Sequence, residues 1–410
     1  MTKTGFPSIT TQTFGQLGRG GLQKGLESTG QSPPVGLIIK PLGGGQTIAL
    51  DRFLSYQFTS SIVIPVDTFS FEFASPDAPP LTDFINDGDI VSLSANGVQI
   101  ATGIIDQTET ETDPEFGEKS TLSGRDVMGQ LEDQSAISLN SQQIFANSIS
   151  IQNGVKLICQ DTKITQFDFR DVPDPRPQPL LASDPGESKL AVLQRFLEPY
   201  NVVAWTGSSG QLIVGKPNMS QVKAGNLVCS RADRFSNVLH ARVVRSSTSI
   251  ANVIAAIWTG QETVVNRVGP QQVLLNNAPG PSRLRRLGYL VPKSVVFSNP
   301  NATDPQGLSA INAITAAGSN VLQAYAKREI ARENTNEIQF QCLVQGHYND
   351  NGDPYQVDTV YHIDYDRGNI FEDMYLYQVD YQLTPERGQT TVLTFCRFGS
   401  IVADVRAPGS

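Results

Sequence analysis

The chain has 410 residues, more than one ordinary hydrophobic core serves, so roughly two to four domains are expected. With 31 Lys and Arg against 40 Asp and Glu the formal net charge is −9, which excludes a broadly basic face of the kind that phosphate neutralisation requires. Charged residues make up only 17% while Gly (35) and Pro (25) are plentiful, a composition of turn-rich β structure and not of a helical bundle.

Residues 1–34 are rich in Gly, Ser, Thr and Gln and close on Pro33 and Pro34. They hold too little apolar surface to order alone, and read as an extended arm: a disordered tail, or a segment that orders on a neighbouring subunit. No apolar run of signal-peptide length occurs there. From Val35 the pattern turns to strands. Phe69, Phe71 and Phe73 alternate with polar residues, the period of a half-buried strand. Asn96-Gly97 between two apolar runs predicts a type I′ hairpin. The acidic, Thr-rich stretch Gln107 to Glu118 is expected to face solvent, and Lys119 to Ser123 to return as a strand before a short helical turn towards Ala136. Residues 35–139 form a first β-barrel domain on this reading.

Residues 140–235 differ in kind. A helix is compatible with Ser148 to Cys159, and Glu187 to Leu197 is amphipathic, with Leu190, Leu193, Phe196 and Leu197 on one face. Val202 to Trp205 then turns through Gly207-Ser208-Ser209-Gly210 into Leu212 to Val214. This stretch is an α+β insert. Asn237 to Trp258 gives two more strands; its apolar part, Val253 to Trp258, is far too short to cross a bilayer, so no membrane insertion is expected. Residues 263–334 read as an irregular and helical connection, with a basic cluster at Arg283, Arg285 and Arg286 and a long helical candidate at Leu308 to Arg332.

Strands return with Ile338, Phe340, Cys342 and Val344, then Val357 to Tyr365, then Tyr375 to Leu383, and Thr390 to Phe398 pairs back. Residues 236–262 and 335–400 make a second β-barrel, and 401–410 a tail. The fold class is therefore α+β, mainly β: two small antiparallel β-barrel domains with an α+β insert and a connecting helical region. No residue-level repeat is visible between the two β regions.

Candidate chemistry is sparse. His362, Asp364 and Asp366 alternate along a strand and suit a metal or a carboxylate pair, but Asp358 extends the same phase as a plain solvated side. Asn349-Asp350-Asn351-Gly352-Asp353 lacks the spacing and closing Glu of a calcium loop and reads as a surface turn. The turn at Gly207 to Gly210 lies between strands, unlike a nucleophile elbow. Gly43-Gly44-Gly45 has no following Lys-Ser/Thr pair, so it is no phosphate loop. Cys342 falls on the apolar phase of its strand, as a buried structural thiol does, which weakens a pairing with His347. Arg125-Asp126 is either a structural ion pair or an ordinary surface one. With three His residues and no CxxC, no catalytic, cofactor or metal site is assigned, and none of the four Cys is expected to be oxidised.

The run Val91-Ser92-Leu93-Ser94-Ala95-Asn96-Gly97-Val98, then Thr102-Gly103-Ile104-Ile105-Asp106, Leu122-Ser123-Gly124-Arg125-Asp126 and Leu131-Glu132-Asp133-Gln134 resembles the N-terminal domain of the baseplate hub proteins of Mu-like contractile phages. Gly210-Gln211-Leu212-Ile213-Val214-Gly215-Lys216-Pro217 is similar to that family's Gly-x-Leu hairpin. Leu322 to Glu333, Phe340 to Gly346 and Gln389-Thr390-Thr391-Val392-Leu393-Thr394 are similar to its closing segments. The resemblance spans about residues 35–400 in order, and departs from the family in the N-terminal extension and in 265–306. It implies a structural virion protein, not an enzyme: a homotrimeric ring of two similar barrels per chain. Such a ring adapts a sixfold tail tube, or tube-initiator proteins, to a threefold central spike. It also contacts baseplate wedge proteins and encloses DNA without binding it specifically. Assembly would occur in the host cytoplasm. The alternatives are a tail-associated cell-wall hydrolase and a carbohydrate-binding tail module.

Overall fold

The computed structural model describes residues 35–44, 47–74, 85–113, 117–136, 150–172, 186–197, 202–217, 223–230, 236–245, 253–258, 263–268, 295–297 and 338–397. The expected helix at Leu308 to Arg332 and the cluster Arg283, Arg285 and Arg286 lie outside them.

The first β region holds β1 (Val35–Lys40), β2 (Ile48–Leu50), β3 (Ser55–Ser61), β4 (Thr68–Ala74), β5 (Ile90–Ala95), β6 (Val98–Asp113) and β7 (Gly117–Asp126). Phe69, Phe71 and Phe73 are buried as their alternation requires. Asn96 and Gly97 both take positive φ, 50° and 77°, the type I′ geometry that lets β5 turn into β6 with the natural strand twist. The acidic stretch continues the strand: β6 runs on to Asp113, and Glu109 and Glu111 are exposed as expected.

Next come α1 (Gly129–Asp133), α2 (Ile151–Ile158), β8 (Phe167–Arg170), α3 (Lys189–Leu197), β9 (Val203–Thr206) and β10 (Leu212–Gly215). Ser150 caps α2 by accepting the Asn153 N–H. Ile151, Gly154, Val155 and Ile158 make its buried stripe, and Gly154 lies against the Phe196 ring of α3 so closely that a Cβ there would overlap it. The buried Lys189 ammonium donates to Gln134 Oε1 and the Gln160 carbonyl. Strands β8, β10 and β9 form a 3-stranded sheet, β8–β10 parallel and β10–β9 antiparallel.

The chain continues through β11 (Gly225–Cys229) and β12 (Val238–Arg245). A separate 3-stranded sheet contains β13 (Val253–Trp258), β14 (Thr263–Val268) and β15 (Val295–Phe297). The last strands in the chain are β16 (Ile338–Gln345), β17 (Thr359–Tyr365), β18 (Ile370–Thr384) and β19 (Gly388–Cys396). All four Cys thiols are free. No described helix is long and apolar enough to cross a membrane.

The two β regions are not two closed barrels. Their strands belong to one 13-stranded sheet with the path β12-β16-β19-β18-β3-β4-β7-β6-β5-β1-β2, and β17 and β11 branch from β18. No barrel closes among the described residues. The physical reason is the length of β18: its start pairs with β17, its remainder with β19, and Gln378 to Leu383 also with β3. One core then serves both regions, Leu37 and Phe71 in the same cluster as Phe340, Val379 and Phe395.

Within this sheet one pattern occurs twice. The pairings β3–β4, β4–β7, β7–β6, β6–β5 and β5–β1 recur, in the same chain order, as β12–β16, β16–β19, β19–β18, β18–β17 and β17–β11. All are antiparallel except β11–β17, which is parallel where β1–β5 is antiparallel. Even the bulges match: the β6–β7 register slips between Ile105 and Gln107, the β18–β19 register between Leu376 and Gln378. Both hairpins end alike, Asp113 opposite Gly117 and Thr384 opposite Gly388. That alignment carries a sparse residue repeat: Gln107 with Gln378, Glu109 with Asp380, Pro114-Glu115 with Pro385-Glu386, Gly117 with Gly388, and Leu122 with Leu393.

Candidate functional site

The buried polar groups gather at the junctions between these parts. At the seam between the two units β3 lies antiparallel to β18, with Phe58 opposite Tyr381 and Thr59 opposite Asp380. The Phe58 and Tyr381 rings stack with centroids 5.7 Å apart on the core side. On the other side Thr59 Oγ1 donates to Asp380 Oδ1 at 2.6 Å.

The insert is fastened to both units. Toward the second, Arg170 of β8 donates Nη1–H to Asp358 Oδ2 at 2.8 Å, and the Tyr375 hydroxyl donates to Asp358 Oδ1 at 2.7 Å. The Arg170 guanidinium lies 5.7 Å from the centre of the Trp205 ring, which is buried with Ile62, Ile213, Val360 and Tyr377. Toward the first unit, Thr206 donates to Asp126 Oδ2 at 2.5 Å, and Thr102 and Gln99 both donate to the Ser208 carbonyl.

Asp126 also accepts the N–H groups of Met128 and Gly129 on Oδ1, while its own N–H donates to the Asp67 carbonyl. Asp67 takes the Ser61 N–H and the Ser60 hydroxyl. Both carboxylates are buried beside a cleft lined by Phe58, Phe69, Thr102 and Thr206, with free volume of about 10 Å³, close to what one water needs. Burial, and then the charge of Asp126, push the Asp67 carboxyl well above its usual range; burial raises Asp126 too, against its hydrogen bonds.

The sequence candidates fall elsewhere. His362 Nδ1 is 2.7 Å from Asp373 Oδ1, which also takes the Lys223 ammonium at 3.0 Å. Asp366 sits in a 3-10 turn after β17 and accepts from Ser230. Asp358 is no solvated extension of that face: just before β17, it lies with Val360 and Tyr375 on the side that the insert covers, bound by Arg170 and the Tyr375 hydroxyl. Among the described residues no three His, Cys, Asp or Glu gather as metal ligands. Asn349 closes its own turn, Oδ1 accepting from the N–H of Asn351 and Asp353. Gly207 to Gly210 links β9 to β10, and Cys342 is buried in β16, its thiol pushed up by burial. Arg125 and Asp126 do not pair with each other. Neighbours on a strand face opposite ways, so Arg125 binds Asp106, Glu132 and Asp133 at the surface while Asp126 points inward.

No family model and no curated protein matches the sequence. Solved structures do match. A tail protein from Neisseria meningitidis MC58 superposes with a TM-score of 0.67 at 20% identity, over 91% of this chain and 98% of that one. The fold is that of a phage tail protein. The 43 kDa tail protein of prophage MuSo2 from Shewanella oneidensis gives 0.64 at 17% identity, over 90% and 99%. The prophage tail protein gp18 from Listeria monocytogenes EGD-e gives 0.50 at 11%, over 88% and 94%.

Proposed function

We propose that this chain is the structural hub of a contractile phage tail baseplate, a homotrimer that adapts a sixfold tail tube to a threefold central spike. The observation that carries the reading is the doubled pairing pattern: one chain holds two equivalent β units joined edge to edge through β3 and β18. Three such chains present six equivalent units on one face while keeping threefold symmetry elsewhere, which is what a symmetry adapter requires. The likeness to tail proteins supports it.

In this reading the partners are tube or tube-initiator proteins, the spike trimer and wedge proteins, with DNA passing through the lumen. A net charge of −9 suits a conduit that must not hold DNA. The work is shape matching over large interfaces, not catalysis. Electron microscopy of the purified protein tests it. Rings with six lobes, threefold symmetry and an open centre are expected; discrete particles of a single chain under all conditions would contradict it.

A further inference from the structure

The seam inside the chain joins β3 of the first unit to β18 of the second. In the correspondence between units, β12 stands where β3 does and β6 where β18 does. Both have an unused edge among the described residues: β12 pairs with β16 alone, and β6 beyond Gln107 pairs with β7 alone. Such an edge presents a row of backbone donors and acceptors to any strand that fits.

We propose that β12 of one copy adds antiparallel to the free edge of β6, residues 107–113, in the next copy, repeating between chains the junction that β3 and β18 make within one. This inference rests on the hub reading and specifies its subunit contact. The register follows by substitution. Gln57 faces Gln382 in the internal seam, and Phe58 faces Tyr381. Tracing the ladders through β4 and β7, and through β16 and β19, Gln57 corresponds to Arg242 and Gln382 to Glu111. Phe58 likewise corresponds to Val243, and Tyr381 to Thr110.

Arg242 then stands directly opposite Glu111, and both are exposed in the single chain. The edges match in charge as a whole: His240, Arg242 and Arg245 on β12, Glu109 and Glu111 on β6. Nothing in the topological correspondence demands that agreement, and opposite charges across a ladder stabilise pairing. On the core side a Val243–Thr110 pair replaces the Phe58–Tyr381 stack. The contact between chains is therefore less apolar and more electrostatic than the one within, and weakens with salt. Because the two edges differ, the contact is head-to-tail, the kind that closes rings.

The test is sedimentation of the full chain as wild type, Arg242→Glu, Glu111→Arg and the double variant. Wild type is expected to sediment as a trimer. Each single reversal places like charges across every seam and raises the concentration for half-assembly at least about tenfold. The double variant E111R/R242E restores the trimer. Independently, Val243→Cys with Thr110→Cys is expected to cross-link under oxidation into a ladder that stops at three chains. A wild-type trimer that both reversals leave intact, without cross-links, overturns this seam and leaves the ring standing. Reversals that dissociate the trimer, a double variant that does not recover and no cross-link overturn the register. A wild type that never associates overturns the ring and the seam together.

Discussion

The Tyr56 hydroxyl of the first unit donates to Nε2 of His347 in the second, at 2.5 Å. The tautomer follows from the chain of bonds. Thr391 Oγ1 donates to the Gly346 carbonyl at 2.6 Å, so it can only accept from His347 Nδ1–H, 2.8 Å away, which leaves Nε2 bare to receive Tyr56. The imidazole is buried and neutral, and burial lowers its pKa from 6.5 to about 4.

The consequence is acid sensitivity. The folded state binds fewer protons at this site than the unfolded state, so the contribution is complete above pH 6.5 and is lost as pH falls to about 4. A shift of that size corresponds to about 3 kcal/mol. Chemical denaturation of wild type and His347→Gln across this range is expected to give a steeper acid loss for wild type; parallel curves would contradict the assignment.

Asp67 and Asp126 act in the opposite direction. Their folded pKa values lie above the unfolded ones, Asp126 pushed up to about 6, so the fold gains protons and stability as pH falls through 6 toward the ordinary carboxylate range. Asp126→Asn keeps an acceptor for the Met128 and Gly129 N–H groups and removes the charge. Its melting temperature at pH 8 is expected to equal or exceed that of wild type, with a flatter profile between pH 4 and 6. A large loss at pH 8 would show that the ionised pair stabilises the fold.

Much of this was legible from alternation alone. Phe69, Phe71 and Phe73, and Ile338, Phe340, Cys342 and Val344, are buried in the expected phase, and Asn96-Gly97 makes the expected turn. Leu190, Leu193, Phe196 and Leu197 share the buried face of α3. What alternation cannot show is which strand a given strand meets, so the threefold pairing of β18 and the shared core were not foreseen. Asp358 escaped because alternation does not show that the insert covers its strand face, where Val360 and Trp205 are buried together. The inward turn of Asp126 was available, since adjacent strand residues cannot share a face. The repeat of Gln107 and Pro114 at Gln378 and Pro385 was available as well, but too sparse to stand out before the bulges aligned it.

Arg170→Met tests the fastening of the insert. It keeps the packing length on Trp205 and removes the guanidinium from Asp358, which is 8% exposed and still accepts from the Tyr375 hydroxyl. A loss of about 2 kcal/mol in denaturation is expected, with faster proteolysis within residues 150–217. Unchanged stability would mean that the apolar contacts around Trp205 suffice.

Gly124→Ala tests the close approach of β6 and β7 to β4. A Cβ there would fall on the Ile104 carbonyl oxygen and the Phe69 ring, so backbone must move. A loss of about 3 kcal/mol or insoluble protein is expected, whereas Gly43→Ala, with open space around it, changes stability by less than about 0.5 kcal/mol. Equal effects at the two positions would contradict the packing described.

The most direct test of the hub reading is the mass of the purified full chain by light scattering, alone and mixed with a candidate spike protein. Three times the 44.5 kDa chain mass, or a monomer that joins the spike as three chains to three, is the predicted result. A 44.5 kDa species that stays single and ignores the spike would contradict the symmetry-adapter account.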